Sequence, residues 1–289
     1  MRKISNPDLS QFSSIRLLSQ GGNLYLLEGI NDCKYLEELY KKDKKPFIVG
    51  NGTNVIFYPF VKRDIVKLVK HREIKILKEN KNEVYIQVDA SYHLKSLLRI
   101  CLKEGWSGIE GLVGIPASLG GAVSMNAGSF GYCIGDVWTK ITVWTPNGIL
   151  EIKKEEVNLE YRKCDFGQRD YLILDVVMCL KKKDSLKVKE ETQKWYLKKK
   201  QNQPLSYPSA GCIFKNPSFT KSAGQILDEC GFKGVRKGDV CFSTKHANFL
   251  LNLGKGRAED AIYLIKKAQE EVLKRYGFLL DLEVILLNL

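Results

Sequence analysis

The stretch GWSGIEGLVGIPASLGGAVSMNAGSFGYCIG, Gly105 to Gly135, constrains this chain more than any other. Glycine recurs through it, Pro116 is its only proline, and charge is nearly absent. A disordered linker would be polar and charged. A small, apolar run is instead expected to be buried, with its backbone close to another group. A shorter loop, VGNGTNVIF, sets Gly50, Asn51, Gly52, Thr53 and Asn54 between two predicted strands. Glycine permits positive φ and close backbone approach. Successive N–H groups in such a loop can cradle a phosphate. Taken alone, this loop reads equally well as an ordinary hairpin turn.

Two familiar phosphate motifs are excluded. No Gly-Lys-Ser/Thr follows the first loop, so it is not a P-loop. A strand rather than a helix follows, so it is not a dinucleotide fingerprint of the GxGxxG kind. Two glycine loops without a Walker lysine suit a large, elongated ligand with a pyrophosphate, and Ser118 and Asn126 add side-chain donors. A flavin dinucleotide fits, because N–H groups can hold its phosphates without a metal.

The surrounding chain alternates strands and helices. Asn23–Ile30 reads as a strand and Cys33–Lys42 as a helix. IVKLVK, EIKILKE and EVYIQVDA read as strands, and SYHLKSLLRICLKEG as an amphipathic helix capped by Gly105. WTKITVWTP and ILEIKK form a hairpin through an Asn147-Gly148 turn. Tyr171–Lys183 is a further strand, and a helix around Val188–Lys200 serves as a connector. A second α/β unit is expected from near Gln201, with SAGQILDECG and AEDAIYLIKKAQEEVLKRYG as helices and ANFLLNL and LLDLEVILL as strands. The pattern is α+β. A chain of 289 residues with 44% hydrophobic content is expected to form more than one compact unit.

Other features bound the function. The net charge is +13, from lysines scattered without interleaved aromatics. That favours a plain solvated, lysine-rich surface over a nucleic-acid interface, and a third reading is attraction of small polyanions such as nucleotides and pyrophosphates. No run of about 18 apolar residues predicts a membrane span. The start, MRKISNPDLSQF, lacks the apolar core of a signal peptide. Eight cysteines without a CxxC pair, and three histidines not spaced as their partners, argue against zinc. Reduced thiols and a cytoplasmic location are expected.

GNGTN, GIEGLVGIPASLGGAVSMNAGSFG, EYRKCDF, PSAGCIFKNP, AGQILDECGFKGVRKGDVCFSTKHANFLLN and terminal DLEV, in that order, resemble the UDP-N-acetylenolpyruvoylglucosamine reductase family. The resemblance covers about nine tenths of the chain. It implies an FAD-binding α+β fold of the vanillyl-alcohol-oxidase/PCMH type over residues 1–200, in two subdomains (1–62 and 63–200), then a smaller substrate-binding α/β domain over 201–289. The chain is similar to the shorter type, without an extra substrate-covering loop. The implied reaction is reduction of UDP-N-acetylglucosamine enolpyruvate to UDP-N-acetylmuramate for peptidoglycan. NADPH is the reductant and FAD is bound non-covalently. Hydride passes from the reduced flavin to the methylene carbon, and the α-carbon is then protonated. A monomer with no membrane or nucleic-acid partner is expected.

The resemblance also implies roles. Gly50, Asn51, Gly52, Thr53 and Asn54, with Gly114, Ile115, Pro116, Ala117, Ser118, Gly120, Gly121, Ala122, Asn126, Ala127 and Gly128, would bind the flavin. Arg162 would hold the substrate carboxylate, which a guanidinium does in bidentate fashion. Glu283 would help stabilise the enol, with Asp281 its local rival. Tyr161, packed beside Arg162, and Lys215, Asn216 and Lys233 would face the substrate, while Gln225 and His246 are structural.

Cys212 stands where most of the family has a serine that gives the proton to carbon. A thiol, with a free pKa of about 8.5, is the better acid. Nearby cations, Lys215 and Arg162, would stabilise the thiolate left behind. The same acidity exposes it to oxidation. A buried structural cysteine is the plainer reading of this residue. Two departures stand out: SSIRLLSQGG replaces a TTFRIGG-like segment, and Asn202 replaces a lysine, with Lys200 two residues earlier. Two other functions remain open at this level: a flavoprotein oxidase of the same fold acting on another alcohol or sugar, and a basic nucleotide- or nucleic-acid-binding protein.

Overall fold

The structure, a computed structural model, describes residues 1–42, 44–69, 74–165, 171–217 and 221–287. It divides into two compact units. The first comprises Met1–Lys3, Leu24–Gly50 and Asp64–Lys199, and the second Ile4–Asn23, Asn51–Arg63 and Lys200–Leu289.

Among the described residues the first unit carries α1 (Cys33–Lys41), α2 (Leu94–Glu104), α3 (Leu119–Ser124) and all but the last turn of α4 (Ser185–Asn202). Asn23–Leu27, Ile65–Leu68 and Phe47–Ile48 pair in parallel. A larger antiparallel sheet runs Gly148–Lys153, Trp138–Thr145, Leu172–Lys182, Glu83–Asp89, Lys75–Glu79. Its central strand, Leu172–Lys182, buries residues on both faces, from Leu172, Leu174 and Val176 to Ile173 and Val177. Its outer strand, Lys75–Glu79, is exposed throughout. The lysines there discourage edge pairing. The α2 helix buries Leu94, Leu97, Leu98 and Cys101, the spacing of one helix face. Gly105 ends it in the left-handed conformation, φ 68°, its N–H donating to the Cys101 carbonyl. The hairpin after Thr145 turns one residue earlier than expected. Thr145 pairs with Gly148, so Pro146 and Asn147 make the turn, and Gly148 at φ 119° opens the return strand.

The glycine stretch is buried and structured. It contains a 3-10 turn (Glu110–Leu112), α3, and the short paired strands Gly128–Ser129 and Tyr132–Cys133. Leu112, Ala117, Ser118, Leu119, Gly120, Ala122 and Val123 are buried. Gly120 has to be glycine, because a Cβ there would lie 2.9 Å from the Ala90 Cβ.

The second unit has the antiparallel order Ser209–Cys212, Phe249–Asn252, Val240–Phe242, Arg236–Lys237, with helices α5 (Ala223–Glu229) and α6 (Ala258–Tyr276). Ser222 and Gln225 close a capping box on α5, which gives Gln225 a structural task. Gly277 ends α6 at φ 79°. Val55–Phe57 pairs in parallel with Ile285–Leu287. Ile15, Leu17 and Ile56 share a core cluster with Phe214, Ile226, Phe242, Leu250, Leu264 and Val284. Two early segments of the chain therefore fold with its last third.

All eight cysteines are described and none forms a disulfide. Burial in the first unit pushes the Cys33 and Cys101 thiols up to about 12, so they act as apolar packing groups. Among the described residues no cluster of His, Cys, Asp and Glu could hold a metal ion. No helix among them is long and apolar enough to cross a membrane. His71 and Phe166 lie outside the described residues.

Candidate active site

In the first unit Gly50, the first residue of the shorter glycine loop, lies against the longer one. A Cβ on Gly50 would fall 2.4 Å from the Ser118 Oγ and 3.6 Å from the Gly121 Cα. Ser118 caps α3 by accepting from the Gly121 N–H at 3.3 Å. Lys67 Nζ donates to the Gly50 carbonyl, and burial pulls its pKa below the ordinary lysine value. Bare backbone at this approach fits a pyrophosphate-bearing cofactor held by N–H groups rather than by a metal. Lys67 was not singled out by its sequence context, since a lysine alternating with Val66 and Leu68 reads as the wet face of a strand.

Further along, Asn126 adopts φ 41° and is buried. Its Nδ2 donates to the Glu160 carbonyl at 2.9 Å, and its Oδ1 accepts from the Cys133 thiol at 2.9 Å. Leu159–Glu160 pairs with Lys163–Cys164, so Tyr161 and Arg162 form the tip of a hairpin. Arg162 adopts φ 54° there. Its Nη1 lies 3.4 Å from where a Gly128 Cβ would be, and its guanidinium stands 5.1 Å from the Tyr161 ring centroid. The Asn126-Ala127-Gly128 turn and Arg162 are thus neighbours, and Tyr161 packs beside Arg162 as the sequence suggested. Cys164 is buried.

In the second unit Gly52 adopts φ 62°, and a Cβ on it would collide with the Phe12 carbonyl at 1.9 Å. The Ser14 N–H donates to the Gly52 carbonyl at 3.0 Å, and Ser13 Oγ to the Val55 carbonyl at 2.8 Å. The divergent SSIRLLSQGG segment therefore supports the GNGTN loop through its two serines.

Cys212 ends the strand Ser209–Cys212, paired with Phe249 and preceded by Gly211 at φ 78°. The Glu283 N–H donates to the Ile213 carbonyl at 2.8 Å, and the Lys215 N–H to the Asp281 carbonyl at 2.9 Å. Asn54 Nδ2 donates to the Glu283 carbonyl at 2.8 Å. Three segments remote in sequence, around Asn54, Cys212 and Glu283, are thereby brought together. Asp281 acts here through its backbone. Asn216 Oδ1 accepts from the Ala223 N–H at the start of α5, and Lys233 pairs with Asp228 at 2.5 Å on an exposed surface.

Asn248 was missed by sequence reasoning. It is 1% exposed and grips the residue two past Cys212 from both sides. Its Oδ1 accepts from the Phe214 N–H at 2.9 Å and its Nδ2 donates to the Phe214 carbonyl at 2.8 Å. Its own carbonyl accepts from the Ile213 N–H at 2.9 Å. The one available signal was an asparagine inside the apolar run ANFLL. His246 Nδ1 accepts from the Asn248 N–H at 3.3 Å, and burial pulls its pKa below the ordinary histidine value. Its ring packs on Phe249, in keeping with a structural role.

A family model described as UDP-N-acetylenolpyruvoylglucosamine reductase, C-terminal domain, matches residues 203–287, and an FAD binding domain model matches 33–153. A reductase of that name from Aquifex aeolicus (strain VF5) is 37% identical over 290 residues, 99% of this chain and 95% of the relative. One from Syntrophus aciditrophicus (strain SB) is 32% identical over 96% of this chain and 89% of its own length. The crystal structure of UDP-N-acetylenolpyruvylglucosamine reductase from Thermus caldophilus superposes with a TM-score of 0.80 at 29% identity, covering 99% of this chain and 98% of the other. With Gly50 against Ser118 in one unit, a Cys212–Glu283 neighbourhood in the other, and relatives similar over nearly all of their length, this chain belongs to the UDP-N-acetylenolpyruvoylglucosamine reductase family.

Proposed function

We propose that this chain reduces UDP-N-acetylglucosamine enolpyruvate to UDP-N-acetylmuramate, a step of peptidoglycan precursor synthesis, as an FAD- and NADPH-dependent oxidoreductase. Residues 1–200 serve the flavin and 201–289 the substrate. Gly50–Asn54, Gly114–Ser118, Gly120–Ala122 and Asn126–Gly128 hold the flavin. When bound, that cofactor takes reducing equivalents from NADPH and supplies hydride to the methylene carbon of the enolpyruvyl group.

The rest falls to side chains. Arg162 binds the carboxylate adjoining the carbon that becomes electron-rich, and so spreads the developing charge. Glu283 steadies the enol character at the same group. Cys212 Sγ gives its proton to the α-carbon. Lys215 and Lys233 balance the charge of the UDP diphosphate, with Asn216 and Tyr161 beside the substrate. The observation that carries this reading is the 2.8 Å bond from the Glu283 N–H to the Ile213 carbonyl. It joins the backbone of Glu283 to that of the residue after Cys212, which supports a shared role for the two.

The test is a single turnover. FAD-loaded enzyme, pre-reduced with NADPH, is mixed with UDP-N-acetylglucosamine enolpyruvate, and flavin reoxidation and product are followed. Cys212→Ser is expected to retain turnover, and Cys212→Ala to lose product formation by at least about 10²-fold, the lower end of what general acid catalysis contributes. Parent-like turnover by Cys212→Ala would assign the proton to another group, Glu283 first.

A further inference from the structure

Helix α4 lies outside both matched stretches, 33–153 and 203–287, and its sequence reads as a lysine-rich connector. Its buried residues are Val188, Thr192 and Lys199. Lysine is among the residues least often buried, yet Lys199 is 3% exposed. Glu191, Trp195 and Lys199 recur every four residues, so they lie along one face of the helix.

Each of the three touches the glycine stretch. Tyr132 Oη donates to Glu191 Oε1 at 2.5 Å. The Trp195 ring stacks on Phe130, with centroids 4.9 Å apart and planes at 14°. Lys199 Nζ donates to the Val113 carbonyl at 2.7 Å and lies 5.5 Å from the Phe130 centroid. These contacts fall at the two ends of the loop assigned to the flavin, beside residues in the left-handed conformation. Gly114, after Val113, adopts φ 77°, and its missing Cβ would lie 3.0 Å from the Lys199 Cδ. Phe130 and Gly131 adopt φ 55° and 80°. Tyr132 rests on Gly111, where a Cβ would be 2.4 Å from its ring.

We propose that α4 is a positioning element for the cofactor loop. Glu191, Trp195 and Lys199 clamp its two ends, and Lys199 fixes the Val113-Gly114 bend so that, past the Ile115 N–H that donates to the Leu112 carbonyl and past Pro116, the Ala117 and Ser118 N–H groups face the flavin pyrophosphate. The bond from an ammonium to a carbonyl is charge-assisted, stronger than a neutral one. The helix tightens cofactor binding without touching the cofactor. This inference rests on the reading of Gly114–Gly128 as the flavin loop.

The test compares the full chain with Lys199→Met, which keeps the stem and loses the bond, Tyr132→Phe, which removes one hydroxyl, and the exposed control Lys189→Met. FAD affinity is read by flavin fluorescence, the bound pyrophosphate by phosphorus NMR, and apoprotein stability by thermal melting. Lys199→Met is expected to weaken FAD binding roughly 10- to 100-fold, the equivalent of one hydrogen bond to a charged group, and to shift the pyrophosphate resonances. Tyr132→Phe should give a smaller loss and Lys189→Met none. Parent-like affinity and resonances in Lys199→Met overturn the proposal. So does an affinity loss no larger than that of Lys189→Met. If Lys199→Met does not fold, Tyr132→Phe decides, and unchanged affinity there overturns the proposal. Ser118→Ala separates the two readings. If it weakens FAD binding while Lys199→Met does not, only the role of α4 fails. If neither changes binding, the loop assignment fails first.

Discussion

Asn248 shows how a single buried amide can fix the backbone segment that follows Cys212. Its side chain replaces a strand partner for Phe214, whose N–H and carbonyl it satisfies together. Asn248→Ala would leave both backbone groups without that partner, and each unsatisfied group costs about 1–3 kcal/mol. We expect a loss of about 2–6 kcal/mol, read as a lower urea midpoint at unchanged slope. An unaltered midpoint would mean that solvent replaces the amide. The neighbouring His246 gives a pH signature. Burial, the largest cause, lowers its folded pKa below the unfolded value of 6.5. The folded state then binds fewer protons, so its contribution is full above pH 6.5 and is lost as pH falls through the lowered folded value. Denaturation of parent and His246→Gln at pH 7.5 and 5.5 should show the parent losing more stability over that interval. Equal losses would show that the imidazole titrates alike in both states.

At the scale of elements, local chemistry carried far. The Leu94, Leu97, Leu98, Cys101 spacing and Gly105 defined α2, because helix period and a left-handed cap are properties of adjacent residues. The same cap closes α6 at Gly277, but the two glycines are not equivalent. A Cβ at Gly105 would meet the Lys183 carbonyl at 2.3 Å, whereas nothing lies within 4 Å at Gly277. Gly277→Ala is expected to cost about 1–2 kcal/mol, the price of a left-handed residue with a side chain. Gly105→Ala should cost distinctly more, since backbone must also move. Thermal melts of the two variants check this, and equal shifts would mean that the contact at Gly105 relaxes freely. The hairpin slip at Gly148 shows where local chemistry stops. A Pro-Asn-Gly run accommodates two turns, and the register of Trp138–Thr145 with Gly148–Lys153 is the one that places Pro146 and Asn147 at the tip.

At the scale of the whole molecule, the second unit draws Ile4–Asn23 and Asn51–Arg63 together with Lys200–Leu289. Ile15, Leu17 and Ile56 fill its core, and Val55–Phe57 supplies a strand beside Ile285–Leu287. A fragment of residues 201–289 therefore lacks part of its own core. We expect it to show no cooperative thermal transition and weak amide-exchange protection. A cooperative melt of the isolated fragment would make the early segments accessory.

The ordered motifs, from GNGTN to DLEV, determined the family and the residue types its chemistry needs. They did so because the glycine loops and the short runs around Cys212 and Glu283 are each written in consecutive residues. Helix caps and strand periods were determined in the same way. Tertiary structure alone decided what Lys67, Lys199 and Asn248 do. Val113 and Lys199 are 86 positions apart, and Phe214 and Asn248 are 34 apart. A buried polar side chain takes its meaning from the group that satisfies it, and here folding, not local sequence, supplies that group.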